Sequence, residues 1–180
     1  MRRDELEHVI RAAAAISGDS EIVVIGAAAL LGSVPSPPAD LAQTMEADIY
    51  PLRHPHLADV VDGAIGELSP FHETFRYYAH GVGPSTAILP AGWEGRLVKI
   101  QNEGTRQYIG YCLDLYDLAA SKLAAGREKD ATFVEGLLRH RIVSAGQLIE
   151  RTGLLPLDTE RRRRIELQVM ALGKAAGQGV

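Results

Sequence analysis

Hydrophobic and polar positions follow two different periods along the chain. In residues 4–16 apolar side chains recur at every third or fourth position, which predicts an amphipathic helix. Residues 21–25 instead form an uninterrupted, β-branched apolar run, which predicts a buried strand. The small residues of 26–31 then indicate a strand-to-helix turn and a short helix. The chain therefore begins in the manner of a mixed α/β fold.

The middle of the sequence predicts more strands than helices. The Pro-rich stretch 32–43 indicates a loop, and 57–68 carries a helical stripe interrupted by glycines. The aromatic stretch 71–79 is ambiguous and is expected to be extended toward its end. Further strands are predicted at 46–50, 86–89, 96–100 and 108–113.

After residue 113 the pattern becomes helical. Four helices are predicted, at 116–125, 128–140, 144–151 and 158–172. The fold class is thus α/β (α+β), with a mixed sheet flanked by helices and followed by a small C-terminal helical bundle. We expect an α/β core over 1–114, a helical region packed on it over 115–174, and a tail over 175–180.

Composition and charge argue against some classes of protein for this chain. The net charge of −4 argues against a generic nucleic-acid-coating protein, which would be basic. The single cysteine, Cys112, lies in an apolar run and is expected to be a buried hydrophobe in a reducing compartment. Neither a secretory apolar core nor a long apolar span is present, so we expect a cytoplasmic protein of bacterial style that does not enter a membrane.

A pair of acidic residues offers the first candidate chemistry. If 46–50 is a strand, Glu46 and Asp48 point to the same face, because side chains alternate along a strand. Two neighbouring carboxylates are a common arrangement for holding a divalent cation such as Mg²⁺ together with substrate phosphates. The alternative is a half-buried strand that carries two solvated acids.

A second cluster of charge lies where two predicted helices meet. Lys122 stands among Leu and Ala, and Arg127, Lys129 and Asp130 follow at the junction. Such a group can bind phosphate, with lysine as a point charge and arginine as a fork. It can equally form a salt-bridge network that fixes the helix corner, and the sequence does not decide between the two.

Three other features favour structural interpretations. The histidines at 54 and 56 are expected to be surface loop residues rather than metal ligands, since a proline separates them and no third ligand is evident. The adjacent tyrosines at 77 and 78 indicate core packing rather than a base-stacking platform. The basic run 161–164 indicates a solvated helix face rather than an RNA contact.

The order of these features resembles a known superfamily. An apolar strand, a Gly-small turn, a short helix and then an acid-x-acid strand are similar to the DNA polymerase β-type nucleotidyltransferases. The spacing from Asp117 to Lys122 and the Arg127-x-Lys129-Asp130 motif look like the AbiEii branch, the toxin half of abortive-infection and toxin–antitoxin systems. The resemblance spans most of 21–138 and is strongest over 117–138.

This resemblance implies a role for each matching residue. Gly26 and Ala27 occupy the turn that holds nucleotide phosphates, and Glu46 and Asp48 occupy the metal-binding carboxylate positions. The nucleotide-binding positions of the charged motifs correspond to Lys122, Arg127 and Lys129. Glu46, Asp48, Lys122 and Asp130 are the implied catalytic residues, Asp130 as an acid/base or metal-proximal group.

The implied activity is a metal-dependent transfer of a nucleotidyl group from an NTP. Mg²⁺ or Mn²⁺ would be the cofactor, and tRNA, a protein side chain or a small molecule would be the acceptor. An antitoxin would be the partner of a toxin-like member. Two departures favour an alternative: Ala27 replaces the usual Gly or Ser, and Glu46 replaces the usual Asp. The alternative is a catalytically degenerate protein of the same fold that acts as a binding or partner-interaction module.

Overall fold

A computed structural model of the chain describes residues 1–179. The predicted tail therefore extends one residue, Val180, beyond the described part of the chain. Within that part no helix is long and apolar enough to cross a membrane.

Five strands form one mixed sheet in the order β3-β2-β1-β5-β4. The central strand β1 runs antiparallel to β2 and parallel to β5, β2 runs parallel to β3, and β4 runs antiparallel to β5. The strands are β1 Glu21–Ile25, β2 Glu46–Pro51, β3 Tyr78–Gly81, β4 Val98–Ile100 and β5 Ile109–Cys112. This sheet, with its flanking helices, confirms the predicted fold class.

Eight α-helices accompany the sheet over the described residues. The first presents the predicted apolar stripe to the core and ends at Gly18, whose φ of 68° is the left-handed conformation typical of a helix end. The helices are α1 Arg3–Ser17, α2 Leu30–Ser33, α3 Ala58–Ile65, α4 Pro70–Phe75, α5 Leu115–Ala125, α6 Glu128–Arg139, α7 Ala145–Thr152 and α8 Thr159–Ala175.

The strand predicted at 86–89 is wrong. Pro84–Thr86 forms a 3-10 turn, and the residues that follow up to Pro90 are irregular. Proline at both ends of so short an apolar run restricts the backbone and removes N–H donors that a strand needs. The run therefore has too little length to pair with the sheet.

The ambiguous aromatic stretch resolves into a helix followed by a strand. Ser69 accepts a hydrogen bond from the backbone N–H of His72 and caps α4, with Pro70 at the first helical position. Arg76 ends the helix with a φ of 66°, and β3 begins at Tyr78. The extended part is thus confined to the end of the stretch, where it was expected.

The chain divides into two compact units. The first comprises 1–86 and 97–114 and contains the whole sheet, and the second comprises 87–96 and the helices from 115 onward. The sequence placed 87–96 with the sheet, but Ala91 donates its N–H to the carbonyl of Leu154 in the helical unit. The first unit has 7 basic and 14 acidic residues, net −7, whereas the second has 12 and 9, net +3.

Candidate functional site

Strand β2 places two carboxylates side by side in the first unit. Ala47 and Ile49 are fully buried, while Glu46 and Asp48 alternate with them and are only partly covered. The two acids therefore share the opposite face of the strand, as the period of two requires. This face is where the candidate site forms.

The turn after β1 lies directly against Asp48. Ile25, the last residue of β1, pairs with Asp48 across the antiparallel ladder, and Gly26 follows at once. Gly26 has φ 69° and ψ −169°, a conformation nearly restricted to glycine. A Cβ built there would lie 2.0 Å from Oδ2 of Asp48. Glycine is thus required both by the backbone and by the carboxylate that occupies the space of its missing side chain.

The edge strand β3 adds two polar side chains to the pair. Its parallel register with β2 sets Tyr78 opposite Glu46 and His80 opposite Asp48. The Tyr78 hydroxyl donates to Oε2 of Glu46 at 3.2 Å. His80 Nδ1 lies 3.0 Å from Oδ1 of Asp48 and 3.4 Å from Oε1 of Glu46.

Burial, mutual repulsion and hydrogen bonds give the two carboxyls different pKa values. Burial, together with the neighbouring Glu46 carboxylate, raises the pKa of Asp48 to about 6. Burial also acts to raise the pKa of Glu46, but hydrogen bonds from Asp48 and Tyr78 outweigh it and the pKa is lowered. The two carboxyls titrate as a unit, and as pH falls through about 6 the first proton binds on the Asp48 side.

The negative charge of the two carboxyls acts to raise the pKa of both His80 and Tyr78. Burial acts to lower the pKa of His80, but the hydrogen bond and charge of Asp48 outweigh it and the pKa is raised. Burial and the Glu46 carboxylate raise the pKa of Tyr78 to about 12, so its hydroxyl stays a donor. Both side chains therefore stabilise the negative charge that the pair carries.

The cluster has the donors of a metal site, and its one group that can carry a positive charge is the titratable ring of His80. One ligand atom each from Glu46, Asp48 and His80 lie within 4.8 Å of one another. Among residues 1–179 neither carboxylate forms an ion pair with a lysine or an arginine. Two carboxylates and an imidazole that converge with no lysine or arginine beside them fit a divalent cation.

Sequence reasoning missed His80 and the contact of Tyr78. The interpretation of the tyrosine pair as core packing describes Tyr77, which is buried, but Tyr78 is half-buried and reaches Glu46. Alternation along β3 places Tyr78 and His80 on one face, and that is the signal the sequence offered. The signal becomes informative only once β3 is known to pair with β2.

The second charged cluster forms a buried ion triad within the helical unit. Asp130, 1% exposed, accepts from Lys122 Nζ at 2.9 Å through Oδ1 and from Arg127 Nε at 2.5 Å through Oδ2. Burial acts to raise the pKa of Asp130, but these two cations outweigh it and lower the pKa. The contacts are those of the salt-bridge alternative that the sequence left open.

Ala27 and Lys129 are not among the side chains that form the two clusters. Lys129 is exposed on α6, and Ala27 opens the 3-10 turn after Gly26. The implied roles of Lys122, Arg127, Lys129 and Asp130 in nucleotide binding and catalysis stay predictions. They belong to the second unit, whereas Gly26, Ala27, Glu46 and Asp48 belong to the first.

The histidines at 54 and 56 and the single cysteine, Cys112, have contacts or burial that are typical of structural residues. His54 lies 3.4 Å from the Asp19 carboxylate, and its ring stacks edge-on against His56. Within the described residues, Glu46, Asp48 and His80 are the one group of three that offers a metal site. Cys112 is fully buried, and burial raises the pKa of its thiol to about 12, so the thiol is unreactive.

Comparison with known proteins identifies a family. Residues 4–152 match a family described as nucleotidyltransferase of unknown function (DUF6036). No curated protein and no solved structure matches the chain. Because the match covers most of the chain and includes the carboxylate cluster, the protein belongs to this nucleotidyltransferase family, which confirms the superfamily but does not identify the AbiEii branch.

Proposed function

From membership in a nucleotidyltransferase family, we propose that the protein transfers a nucleotidyl group from an NTP to an acceptor hydroxyl at the Glu46–Asp48 pair. The observation that carries the proposal is a pair of carboxylates with no lysine or arginine partner in the described chain, pressed against a glycine turn. Paired carboxylates without a lysine or arginine partner are typical of metal-dependent phosphate chemistry.

The two carboxylates would hold the cation, Mg²⁺ or Mn²⁺. When bound, the cation supplies positive charge to the phosphate oxygens and helps to align the attacking and leaving oxygens. Asp48 must give up its proton to serve as a ligand, because metal ligands bind in their deprotonated form. Tyr78 holds Glu46 in place through its hydroxyl, so the two acids keep a fixed spacing.

The reaction itself exchanges one phosphorus–oxygen bond for another. The acceptor oxygen bonds to the α-phosphorus, the bond from that phosphorus to the bridging oxygen breaks, and pyrophosphate leaves with that electron pair. The acceptor proton passes to water. Gly26 carries no side chain, which lets the Asp48 carboxylate lie directly against the turn after β1.

The residues assigned to the triphosphate differ in what surrounds them. Gly26 and Ala27 lie next to the acidic pair and suit it. Lys122 and Arg127 both contact Asp130, so a phosphate would have to compete with a buried carboxylate for them. Lys129 is exposed and available. The lowered pKa of Asp130 makes it a weak base near neutral pH, which weighs against an acid/base role.

For the acceptor, we favour RNA such as tRNA over a protein. Four consecutive arginines begin at Arg161 in α8, and Arg161, Arg163 and Arg164 are exposed. They belong to a unit with a net charge of +3, although the whole chain is acidic. If Arg161→Glu with Arg163→Glu leaves the affinity for total tRNA and its salt dependence unchanged, this acceptor assignment fails.

The toxin role rests on the resemblance of 117–138 to the AbiEii branch. In that case a neighbouring gene would encode an antitoxin partner, and expression of the chain alone would arrest growth. Growth arrest that disappears with Asp48→Asn would support a toxin role. Unimpaired growth at high expression would remove it and leave the transferase proposal standing.

The degenerate alternative is favoured by two residues, Ala27 in the turn and Glu46 in the first carboxylate position. It keeps the fold and the cluster but predicts no transfer. We would incubate the protein with each α-labelled NTP, Mg²⁺ or Mn²⁺, and total tRNA. Glu46→Gln and Asp48→Asn should each abolish labelling, whereas Asp59→Asn, an exposed acid on α3, should not. Nucleotide binding without label transfer to any acceptor would instead favour the degenerate protein.

A further inference from the structure

Resting on the proposed function, we infer that His80 is the third protein ligand of the cation and makes the site select Mn²⁺ over Mg²⁺. The inference starts from the ligand atoms, since His80 Nδ1 lies within hydrogen-bonding distance of Asp48 and 3.4 Å from Glu46. No other described side chain completes a group of three with these acids.

The position of His80 is set by the sheet rather than by a flexible loop. Its parallel pairing with Asp48 fixes the strand on one side, and the N–H of Val82 donates to the carbonyl of Ile49 at 3.0 Å. On the other side, Asp62 of α3 accepts from the N–H of Gly81 at 2.9 Å. The backbone around His80 is therefore held on both sides, which is the precision that a metal ligand needs.

The accessibility of the ring also fits a ligand. The His80 side chain is 51% exposed and the Asp48 side chain 26%, so a hydrated ion can reach both from solvent. Nδ1 is the ring nitrogen that meets the two carboxylates. Glu46 is kept in place from its other oxygen by Tyr78, which leaves Oε1 facing His80.

The donor set distinguishes between the two cations. Mg²⁺ prefers oxygen ligands in near-ideal octahedral geometry and retains much of its water. Imidazole is a poor partner for Mg²⁺, whereas first-row transition metals accept mixed nitrogen and oxygen ligands. Two carboxylates with one imidazole therefore favour Mn²⁺ among the two cations used in nucleotidyl transfer.

A second interpretation of the same contacts is that His80 only stabilises the acidic pair by a hydrogen bond. That role predicts the same distances in the metal-free protein but no bond from nitrogen to the metal. The two roles differ in a spectroscopic signal and in metal preference, and neither depends on catalysis.

The test is metal binding to the full chain without NTP. Titration calorimetry should show Mn²⁺ binding about tenfold or more tighter than Mg²⁺, and pulsed electron paramagnetic resonance should detect nitrogen coupling to the bound Mn²⁺. His80→Asp should remove the coupling and reduce the preference at least severalfold, because it replaces nitrogen by oxygen. His56→Asn, an exposed histidine on the turn before α3, should change neither.

The outcomes separate this inference from the proposed function. Mn²⁺ binding that is lost in Asp48→Asn but shows no nitrogen coupling would overturn the role of His80 and leave the carboxylate site intact. An unchanged preference in a folded His80→Asp variant would do the same. Absence of any divalent binding would overturn the inference, and label transfer that persists without added metal would then overturn the metal-dependent function as well.

Discussion

Asp48, which is partly covered, and Asp130, which is buried, are carboxylates with opposite surroundings. Asp130 is surrounded by two cations and its pKa is lowered, whereas Asp48 faces another carboxylate and its pKa is raised to about 6. Asp117, which is fully buried, is also paired with two cations, because Arg96 and Arg151 contact its two oxygens. The helical unit thus neutralises its buried acids internally.

The side chains around a carboxylate, cations at Asp130 and a second acid at Asp48, give a criterion for telling a structural charge from a candidate functional one. A buried carboxylate that is paired with cationic side chains stabilises the fold only together with those side chains. Removing the carboxylate leaves their positive charge buried and uncompensated. A carboxylate that is held against another carboxylate destabilises the folded protein locally. Such an arrangement is typical of a site where a bound cation relieves the repulsion. By this criterion the Glu46–Asp48 pair of the first unit is the candidate for a functional charge, and the Asp130 triad has the contacts of a structural one.

The largest effect is expected at the triad. Asp130→Asn should destabilise the protein by about 3–5 kcal/mol, because Lys122, whose side chain is 13% exposed, loses its buried partner. Urea unfolding followed by circular dichroism measures the loss. Glu135→Gln, which removes an exposed pair with Arg139 on the same helix, should cost well under about 1 kcal/mol. Equal costs for the two variants would show that the triad is not structural.

The second-largest effect is expected at Gly26, in the turn after β1. Gly26→Ala should cost about 1–3 kcal/mol from backbone strain and should also displace Asp48, so that Mn²⁺ binding is lost. Gly18→Ala is the matched control, since its φ of 68° is equally positive but no atom lies within 4 Å of the added Cβ. It should lose stability and keep Mn²⁺ binding. Retained binding in Gly26→Ala would mean that the turn does not position Asp48.

The two carboxylates should also respond oppositely to pH. The folded pKa of Asp48 lies above its unfolded value, so without metal its contribution to stability is greatest at low pH and falls as pH rises through about 4 to 6. The folded pKa of Asp130 is lowered, so its contribution is present above the unfolded value of about 4 and is lost as pH falls through the folded one.

The free energy of unfolding of wild type relative to Asp48→Asn isolates the first response. That difference should fall by about 2 kcal/mol between pH 4 and pH 7. Mn²⁺ affinity should drop as pH falls below about 6, where the proton competes for Asp48. A pH-independent difference between the two proteins would show that Asp48 is an ordinary solvated acid.

The smallest effect is expected from Tyr78→Phe. The variant loses one hydrogen bond to Glu46 and should be destabilised by about 1 kcal/mol. Mn²⁺ should bind a few-fold more weakly, since Glu46 is less restrained, while the transfer reaction persists. Tyr77→Phe, whose hydroxyl bonds His8 instead, should leave Mn²⁺ binding unchanged. Equal Mn²⁺ affinity in the Tyr78 variant and wild type would remove Tyr78 from the site.

Elements defined by local periodicity were predictable from the sequence. The stripe of α1, the apolar run of β1 and the alternation that puts Glu46 and Asp48 on one face all depend on residues close in the chain. The same holds for α8, where Asp158 caps the helix by accepting from the N–H of Arg161. Such features need no knowledge of the sheet.

What depends on distant pairing was not predictable. His80 joins the site because β3 lies parallel to β2, and a sequence does not specify which strands become neighbours. The charges around Asp130 permitted both a phosphate site and an ion triad, and the contacts of Lys122 and Arg127 with the buried Asp130 appear only in the folded structure. The local pattern at 86–89 resembled a strand but offered no partner in the sheet.

The central claim is that the Glu46–Asp48 pair is a cation site and not a structural charge cluster. Thermal unfolding of wild type and Asp48→Asn at pH 7.5, with and without Mn²⁺, tests it most directly. Without metal the variant should unfold at a higher temperature than wild type, because it lacks the repulsion between the two acids, and Mn²⁺ should stabilise only wild type. A variant that is less stable than wild type, with neither protein affected by Mn²⁺, would contradict the account.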